Sequence, residues 1–552
     1  MSTTRLAAGS LPVHIPDVLE TLAQLPNDEV FTPPKLAGAM LDILPSEVWT
    51  RPDFRWLDPA TKSGVFLREA AKRLMIGLAE WEPNPANRRQ HILRKMLYGA
   101  AITQMSGDIA RRSVYQTRDA TGAGLKDESM RGLLVPFGDP DGNISYVPTE
   151  HTLDRNGRHC VICHAPAALV RERREHYAYS FIHNAYPVKE MTGVRFDVIV
   201  GNPPYQIGAE GTTRTMPIYQ HFVRKAIGLK PKYVLMITPS RWFTGGLGLD
   251  EYRDEMIKDR RLVKLVDNPK LFDVFPQVEI KGGVSYFLWD RDHNDDCEFS
   301  TRIDGRIIST AIRDLREGHG VVIRDNKASA LVHKILEQSG GSVESWFWPR
   351  LAFSQEWRTN YRGENEQPFE GSVPLIHNSG VGYVHPESFE RNFDLVSKWK
   401  VLLPKAGDGH GREVSYVIGE PLAVAPGSAC TESYFVTGAF DTKDECENYA
   451  FYLSTKFARF LVLQRKATQD ITSERFRFVP SLPMTQRWTD ADLYSYFDLA
   501  PDEIQYIESS LHPREPVLSL NSAIPASHLP GGHKYRASGS ANGLDDDEAE
   551  GE

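Results

Sequence analysis

A succession of short apolar runs, each followed by a stretch with helical apolar spacing, limits this chain to an α/β fold before anything else is considered. The runs fall at 55–57 (RWL), 97–102 (LYGAAI), 196–200 (FDVIV), 233–238 (YVLMIT), 262–267 and 284–289 (VSYFLW). Helical spacing occupies 64–79, the stretch ending at Tyr115, 217–228 and the neighbourhood of 250–259. Runs this short and this apolar suit strands buried on both faces. Their alternation with helices implies a mostly parallel sheet wrapped by helices. After about residue 300 the alternation weakens, and Gly, Pro, Ser and aromatic residues gather in WFWPRLAFSQEW, HNSGVGYVHPES and PKAGDGHGRE. The expected organisation is a lead-in at 1–28, an α/β catalytic domain at 29–300 with an insertion at about 116–183, a mixed α/β domain at 301–515 and an acidic tail at 516–552.

Composition narrows the function classes. With 64 basic against 73 acidic residues the net charge is -9, which excludes coating nucleic acid by bulk charge and requires any DNA contact to be patterned. Six of the acids lie in the terminal run DDDEAEGE (545–552), so the rest of the chain is closer to neutral. Five cysteines, an odd and sparse set, argue for a reducing compartment. The start lacks a continuous apolar leader, and no stretch of about 18 apolar residues occurs, so a cytoplasmic protein with no membrane partner is expected.

Two loops carry chemistry. Asp58-Pro59-Ala60-Thr61-Lys62-Ser63-Gly64 leaves a strand and enters a helix, where small residues let a nucleotide-like ligand approach the backbone and the helix N-terminus offers N–H groups. Alone it is equally a plain turn with Ser63 as a helix cap. Its partner, Asn202-Pro203-Pro204-Tyr205, follows the strand FDVIVG directly. The prolines hold the carboxamide and carbonyls rigidly. An exocyclic adenine amine is a poor nucleophile, because its lone pair is delocalised into the ring. Acceptance from that amine by the Asn202 oxygen and the Pro203 carbonyl favours a pyramidal nitrogen, and Tyr205 stacks on the base.

The set Phe31-Thr32-Pro33-Pro34, Asp58-Pro59-Ala60 with Ser63-Gly64, and Asn202-Pro203-Pro204-Tyr205 resembles the motifs of the amino-methyltransferases of restriction-modification systems. More narrowly it is similar to the gamma-class adenine-N6 DNA methyltransferases, in which a target-recognition domain follows these motifs. PSRWF (239–243) and EIKGGVSYFLWDRD (279–292) look like later blocks of that group, and TKFARFLVLQRKATQ with FRFVP (476–480) resembles its recognition end.

The resemblance implies a Rossmann-like S-adenosylmethionine-dependent methyltransferase fold with an insertion and a C-terminal mixed α/β target-recognition domain. It implies S-adenosyl-L-methionine as cofactor, held by Phe31, Thr32 and Pro33 on one side and by Asp58, Pro59, Ala60, Ser63 and Gly64 on the other, with Asp58 opposite the methionine ammonium. Asn184 stands where relatives often use an acid near the cofactor adenine. The implied catalytic residues are Asn202, Pro203, Pro204 and Tyr205. Two departures stand out: Thr61-Lys62 replaces the usual Cys-Gly or similar pair, and the strand Tyr98–Gln104 supplies no acid for the ribose.

The implied partner is double-stranded DNA, with a flipped-out adenine as substrate and a separate restriction endonuclease or defence subunit alongside. From Lys456 to Arg477 six bases (Lys456, Arg459, Arg465, Lys466, Arg475, Arg477) face two acids, a +4 stretch expected to bind DNA, with the 405–412 loop reaching a groove. An RNA-adenine or protein-glutamine methyltransferase and a catalytically weak DNA-binding scaffold are the alternatives. In the insertion, Cys160 and Cys163, with His176 and His183 beyond, leave two readings, structural zinc or two small buried thiols, and the second is preferred with no metal assigned. Asp273 with Glu279-Ile280-Lys281 imitates a metal-dependent nuclease motif, but it lies inside the methylase block.

Overall fold

The computed structural model of the protein describes residues 31–115, 142–147, 149, 151–164, 167, 179–186, 193–207, 216–270, 275, 282–318, 320–407, 416–466 and 471–514. The expected lead-in and tail, His176, the nuclease-like set Asp273, Glu279 and Lys281, and most of the 405–412 loop lie outside the described residues. The chain divides into two units, Met1–Ser329 and Ala330–Glu552.

The first unit is built on a sheet of nine strands: β1 (Trp56–Thr61), β2 (Leu97–Ala101), β3 (Ile144–Tyr146), β4 (Val198–Gly201), β7 (Tyr233–Pro239), β8 (Leu262–Asn268), β9 (Val284–Asp290), β10 (Cys297–Ile303) and β11 (Arg306–Arg313), with the small hairpin β5 (Gln206–Ile207) and β6 (Met216–Pro217) apart from it. Their order is β11-β10-β8-β9-β7-β4-β1-β2-β3. β3, β2, β1, β4 and β7 run parallel, and β9 is wedged antiparallel between β7 and β8. Trp56, Val198 and Leu235 face one buried cluster while Leu57, Ile199 and Val234 face the other, so both sides of the central strands are covered. This is why those strands read as unbroken apolar runs.

Helices α2 (Val65–Gly77), α3 (Gln104–Tyr115), α4 (Tyr219–Gly228) and α5 (Asp250–Lys258) lie where helical spacing predicts them, and α1 (Pro34–Leu41), which the sequence reading did not assign, starts on a proline. The expected domain end at 300 is displaced: β10 pairs with β8 and β11 with β10, which carries the first unit on to Ser329. β11 is an edge strand whose residues alternate between exposed and half-buried, so it gives no apolar run to read.

The second unit holds two three-stranded sheets. One is β13 (Gly380–Val384), β12 (Val373–His377) and β16 (Ala429–Cys430); the other is β15 (Leu422–Val424), β14 (Trp399–Pro404) and β17 (Tyr434–Phe440). Helices α6 (Lys443–Ser454), α7 (Lys456–Leu463), α8 (Asp490–Tyr496) and α9 (Pro501–Ser510) follow, making the mixed α/β module expected of the C-terminal half.

Candidate active site

From β1 the chain builds outward through β2 to β3, then returns to lay β4 on the opposite flank of β1. The order of strands reverses between β1 and β4, and at such a point the loops leaving the two strands part to open a crevice at their carboxyl ends. Both chemistry-bearing loops leave from there. Asp58 sits in β1, buried, with Leu57 paired to Ile199, and Asn202 follows the last residue of β4.

Asn202 is 3% exposed, and its Nδ2 donates to the Thr32 hydroxyl at 3.0 Å across 170 residues of chain. Phe31 and Thr32 are buried, and the peptide enters α1 through Pro33 and Pro34. With Nδ2 donating to Thr32, Oδ1 is the carboxamide atom turned away from that hydroxyl and able to accept. Pro203 and Pro204 are buried, and Tyr205 packs half-buried against the core. Burial pushes the Tyr205 phenol well above its ordinary value, and neighbouring Tyr219 adds to the shift, so the ring stays a neutral phenol. Tyr219 and Trp242 line the same region in the interior.

Asp58 accepts from the Ala60 N–H at 3.2 Å, and its own carbonyl takes the Thr61 hydroxyl at 2.8 Å. Burial raises its carboxyl from 3.8 to about 7, against the pull of the Ala60 N–H and of Lys62. Lys62, which departs from the family pattern, is itself buried. Gly201 lets this carboxylate pass over β4, since a Cβ there would stand 2.9 Å from Asp58 Oδ1. Gly64 opens α2 at φ +73, and a side chain on it would press on Val114 and Ala110 of α3 at 3.0–3.1 Å. Ala60 and Ser63 are buried beside it.

Asn184 does not join this buried set. It is exposed in a left-handed turn (φ 64), and its Oδ1 accepts from Lys225. Two residues on, Tyr186 is buried and lies within electrostatic reach of Asp58. Sequence reading missed Tyr186, although its place in FIHNAYP was the available signal. A second missed group closes the neighbouring strand ends: Asp267 at the end of β8, fully buried, accepts from Ser240 at 2.8 Å and from two Arg324 nitrogens at 2.8 Å each.

The reading of 456–477 as a basic face is corrected by where its cations point. Arg459 is 0% exposed and donates to the Ser454 and His512 carbonyls at 3.0 and 2.8 Å. Arg465 donates to the Glu474 carbonyl at 2.9 Å, Lys466 to that of Val417 and Arg475 to that of Arg465. Lys456 pairs with Glu508, and Arg477 grips Glu344 with two nitrogens at 2.8 and 3.1 Å. The excess charge closes turns and joins elements inside the second unit. Guanidinium groups satisfy carbonyls left over at helix ends, which a charge count along the chain cannot show.

Nine strands with one antiparallel wedge, and two substrate-class loops meeting where the strand order reverses, define a Rossmann-like methyltransferase. The Eco57I restriction-modification methylase model matches residues 95–275. A protein described as an uncharacterized adenine-specific methylase from Mycoplasma pneumoniae is 32% identical over 343 residues, covering 58% of this chain and 81% of the relative. The chain belongs to this family of adenine-specific restriction-modification methylases, and membership implies a methyl donor.

Among solved structures, a putative type I modification subunit from Vibrio vulnificus aligns at 17% identity over 50% of this chain and 48% of its own, with a TM-score of 0.30. DrdV in complex with DNA aligns at 12% over 82% and 55%, with a TM-score of 0.42. The chain spans about half the length of these two structures. The family assignment rests on the mycoplasma relative and not on them. No helix among the described residues is long and apolar enough to cross a membrane.

Proposed function

We propose that the protein transfers a methyl group from S-adenosylmethionine to N6 of an adenine flipped out of duplex DNA, as the modification component of a restriction-modification or phage-defence system. The observation that carries this reading is the Thr32–Asn202 hydrogen bond, which presents an oriented carboxamide oxygen at the end of β4 beside the buried Asp58 carboxylate. The residues suit the donor: a buried carboxyl with a raised pKa gains a cation partner from an amino-acid ammonium, and Gly201 lets that carboxylate lie close against the end of β4. Phe31, Thr32, Pro33, Asp58, Pro59, Ala60, Ser63 and Gly64 would hold it. When bound, it supplies an electrophilic methyl group. Asn202 Oδ1 and the Pro203 carbonyl accept from the adenine amine and raise its nucleophilicity, Tyr205 stacks on the base, and the buried prolines keep both acceptors in place.

Expression in a methylation-free bacterial host, followed by base-resolved mapping of its DNA, tests the reading. N6-methyladenine at one sequence context, absent with an Asn202→Ala control, is the expected result. Unmodified DNA from a protein that binds the donor would move the substrate to RNA or protein.

Two further expectations concern the donor. Gly201→Ala forces a methyl group against Asp58 Oδ1 and should weaken donor binding by about 1–3 kcal/mol, read by titration calorimetry; unchanged affinity would remove Asp58 from the ammonium site. Donor affinity should also fall about tenfold for each pH unit below 7, because Asp58 with its pKa of about 7 must lose a proton to bind a cation. Binding at pH 6 should therefore release a proton to the buffer, and a flat affinity profile between pH 5 and 8 would contradict the assignment. In the unliganded protein the same group acts on folding with the opposite trend. Its folded pKa lies above 3.8, so the native state holds the proton more tightly, and its contribution to stability declines as pH rises from about 4 to 7.

A further inference from the structure

We propose that His151, Cys160, Cys163 and His183 form a structural zinc site that staples the hairpin around Leu153 and Cys160 to the 179–186 segment. The proposal does not rest on the methyl-transfer reading. One ligand atom from each of the four lies within 4.8 Å of all the others. A tetrahedron with Zn–S and Zn–N bonds of about 2.3 and about 2.0 Å has edges of roughly 3.3–3.8 Å, so closure from separations within 4.8 Å needs contractions of about 1.5 Å at most. The Cys163 Sγ and His151 Nδ1 are already 3.3 Å apart, and the His151 and His183 rings meet edge to face with centroids 4.9 Å apart.

The backbone is shaped for the same purpose. Residues 152–154 and 159–161 form a short hairpin, with an antiparallel bridge between Leu153 and Cys160 and bonds from Val161 N to Thr152 O and from Asp154 N to His159 O, each 2.8 Å. The chain then turns, with His164 N bonded to Cys160 O at 3.0 Å, which brings Cys163 back beside Cys160. The Ile162 N–H points at Cys160 Sγ at 3.4 Å, a donor that favours a thiolate. Both cysteines are buried and neither is in a disulfide.

Two thiolates and two imidazoles match zinc in charge, softness and geometry. Four protein ligands fill the coordination sphere, so the role is structural. The consequence is mechanical. His183 lies in the segment 179–186, whose Phe181, Ile182 and Tyr186 belong to the same buried cluster as Cys160 and Cys163, and Tyr186 lies within electrostatic reach of Asp58. The ion therefore joins a hairpin with little core of its own to a segment that borders the proposed donor site.

The full-length protein, purified without a metal-affinity tag, should carry one zinc per chain by elemental analysis. Exchange into cobalt(II) should give the visible bands of a tetrahedral site with two thiolates. His151→Ala should speed zinc loss to a chelator by at least about tenfold, whereas His176→Ala should leave it unchanged, which separates this ligand set from the finger-like spacing of Cys163 and His176. Cys163→Ser should lose the thiolate-to-cobalt band; if that variant does not fold, the cobalt spectrum of the unaltered protein still decides. Wild-type protein with neither stoichiometric zinc nor a tetrahedral cobalt spectrum overturns the proposal, as does a His151→Ala protein that holds zinc as tightly as wild type.

Discussion

Asn202→Ala should lower the turnover of adenine methylation by about 10² to 10³, the usual loss when one preorganised transition-state partner is removed, and should leave donor affinity unchanged. The split follows from position. Asn202 sits at the tip of β4, anchored through Nδ2 to Thr32, while the groups assigned to the donor belong to β1, the turn that follows it and the Phe31–Pro33 segment. The expected defect is therefore in turnover, with a thermal midpoint close to wild type because Asn202 follows the last residue of β4 and takes no part in the strand pairing. Single-turnover methylation together with donor titration separates the cases. A variant that keeps more than a tenth of its turnover would mean that Asn202 is not an acceptor for the amine.

The second large effect is on stability. Arg324→Ala takes the guanidinium away from the Asp267 carboxylate, which is 0% exposed, while Ser240 still donates to it, and should destabilise the first unit by about 3–5 kcal/mol, as when one partner of a buried ion pair is removed. Asp267→Ala should be milder, because the Arg324 side chain is 35% exposed and can turn to water. Neutralising the stranded acid, as in Arg324→Ala with Asp267→Asn, should recover part of the loss. Denaturant unfolding of the three variants orders them, and equal losses for the two single substitutions would show that the desolvated carboxylate is not what drives the effect.

The sheet was legible where strands are buried on both faces. β4 and β7 each carry a run of large apolar residues too short for a helix, and β1 opens on the buried pair Trp56-Leu57. β3, three residues long, and β11, alternately exposed and half-buried, give no such signal, which is why the expected domain end fell short of the sheet's edge. In the crevice, Asn202 and Asp58 were readable because each stands in a compact local motif whose chemistry is written in adjacent residues. The Thr32 contact to Asn202, the Arg324 clamp on Asp267 and the approach of His151 to Cys163 were not, since each joins residues that only folding brings together. The 456–477 stretch shows the converse: six cations adjacent in sequence look like one surface, but burial of Arg459, Arg465 and Lys466 turns them inward.

The tie between Thr32 and Asn202 makes the front of the described chain a latch on the proposed acceptor. The nine strands take no hydrogen-bonding residue from this front segment, so severing it removes the orientation of one carboxamide and leaves the sheet's own pairing untouched. On the proposed role of Asn202, a cut or a fusion just ahead of α1 should lower methylation while the strand pairing of the sheet is kept.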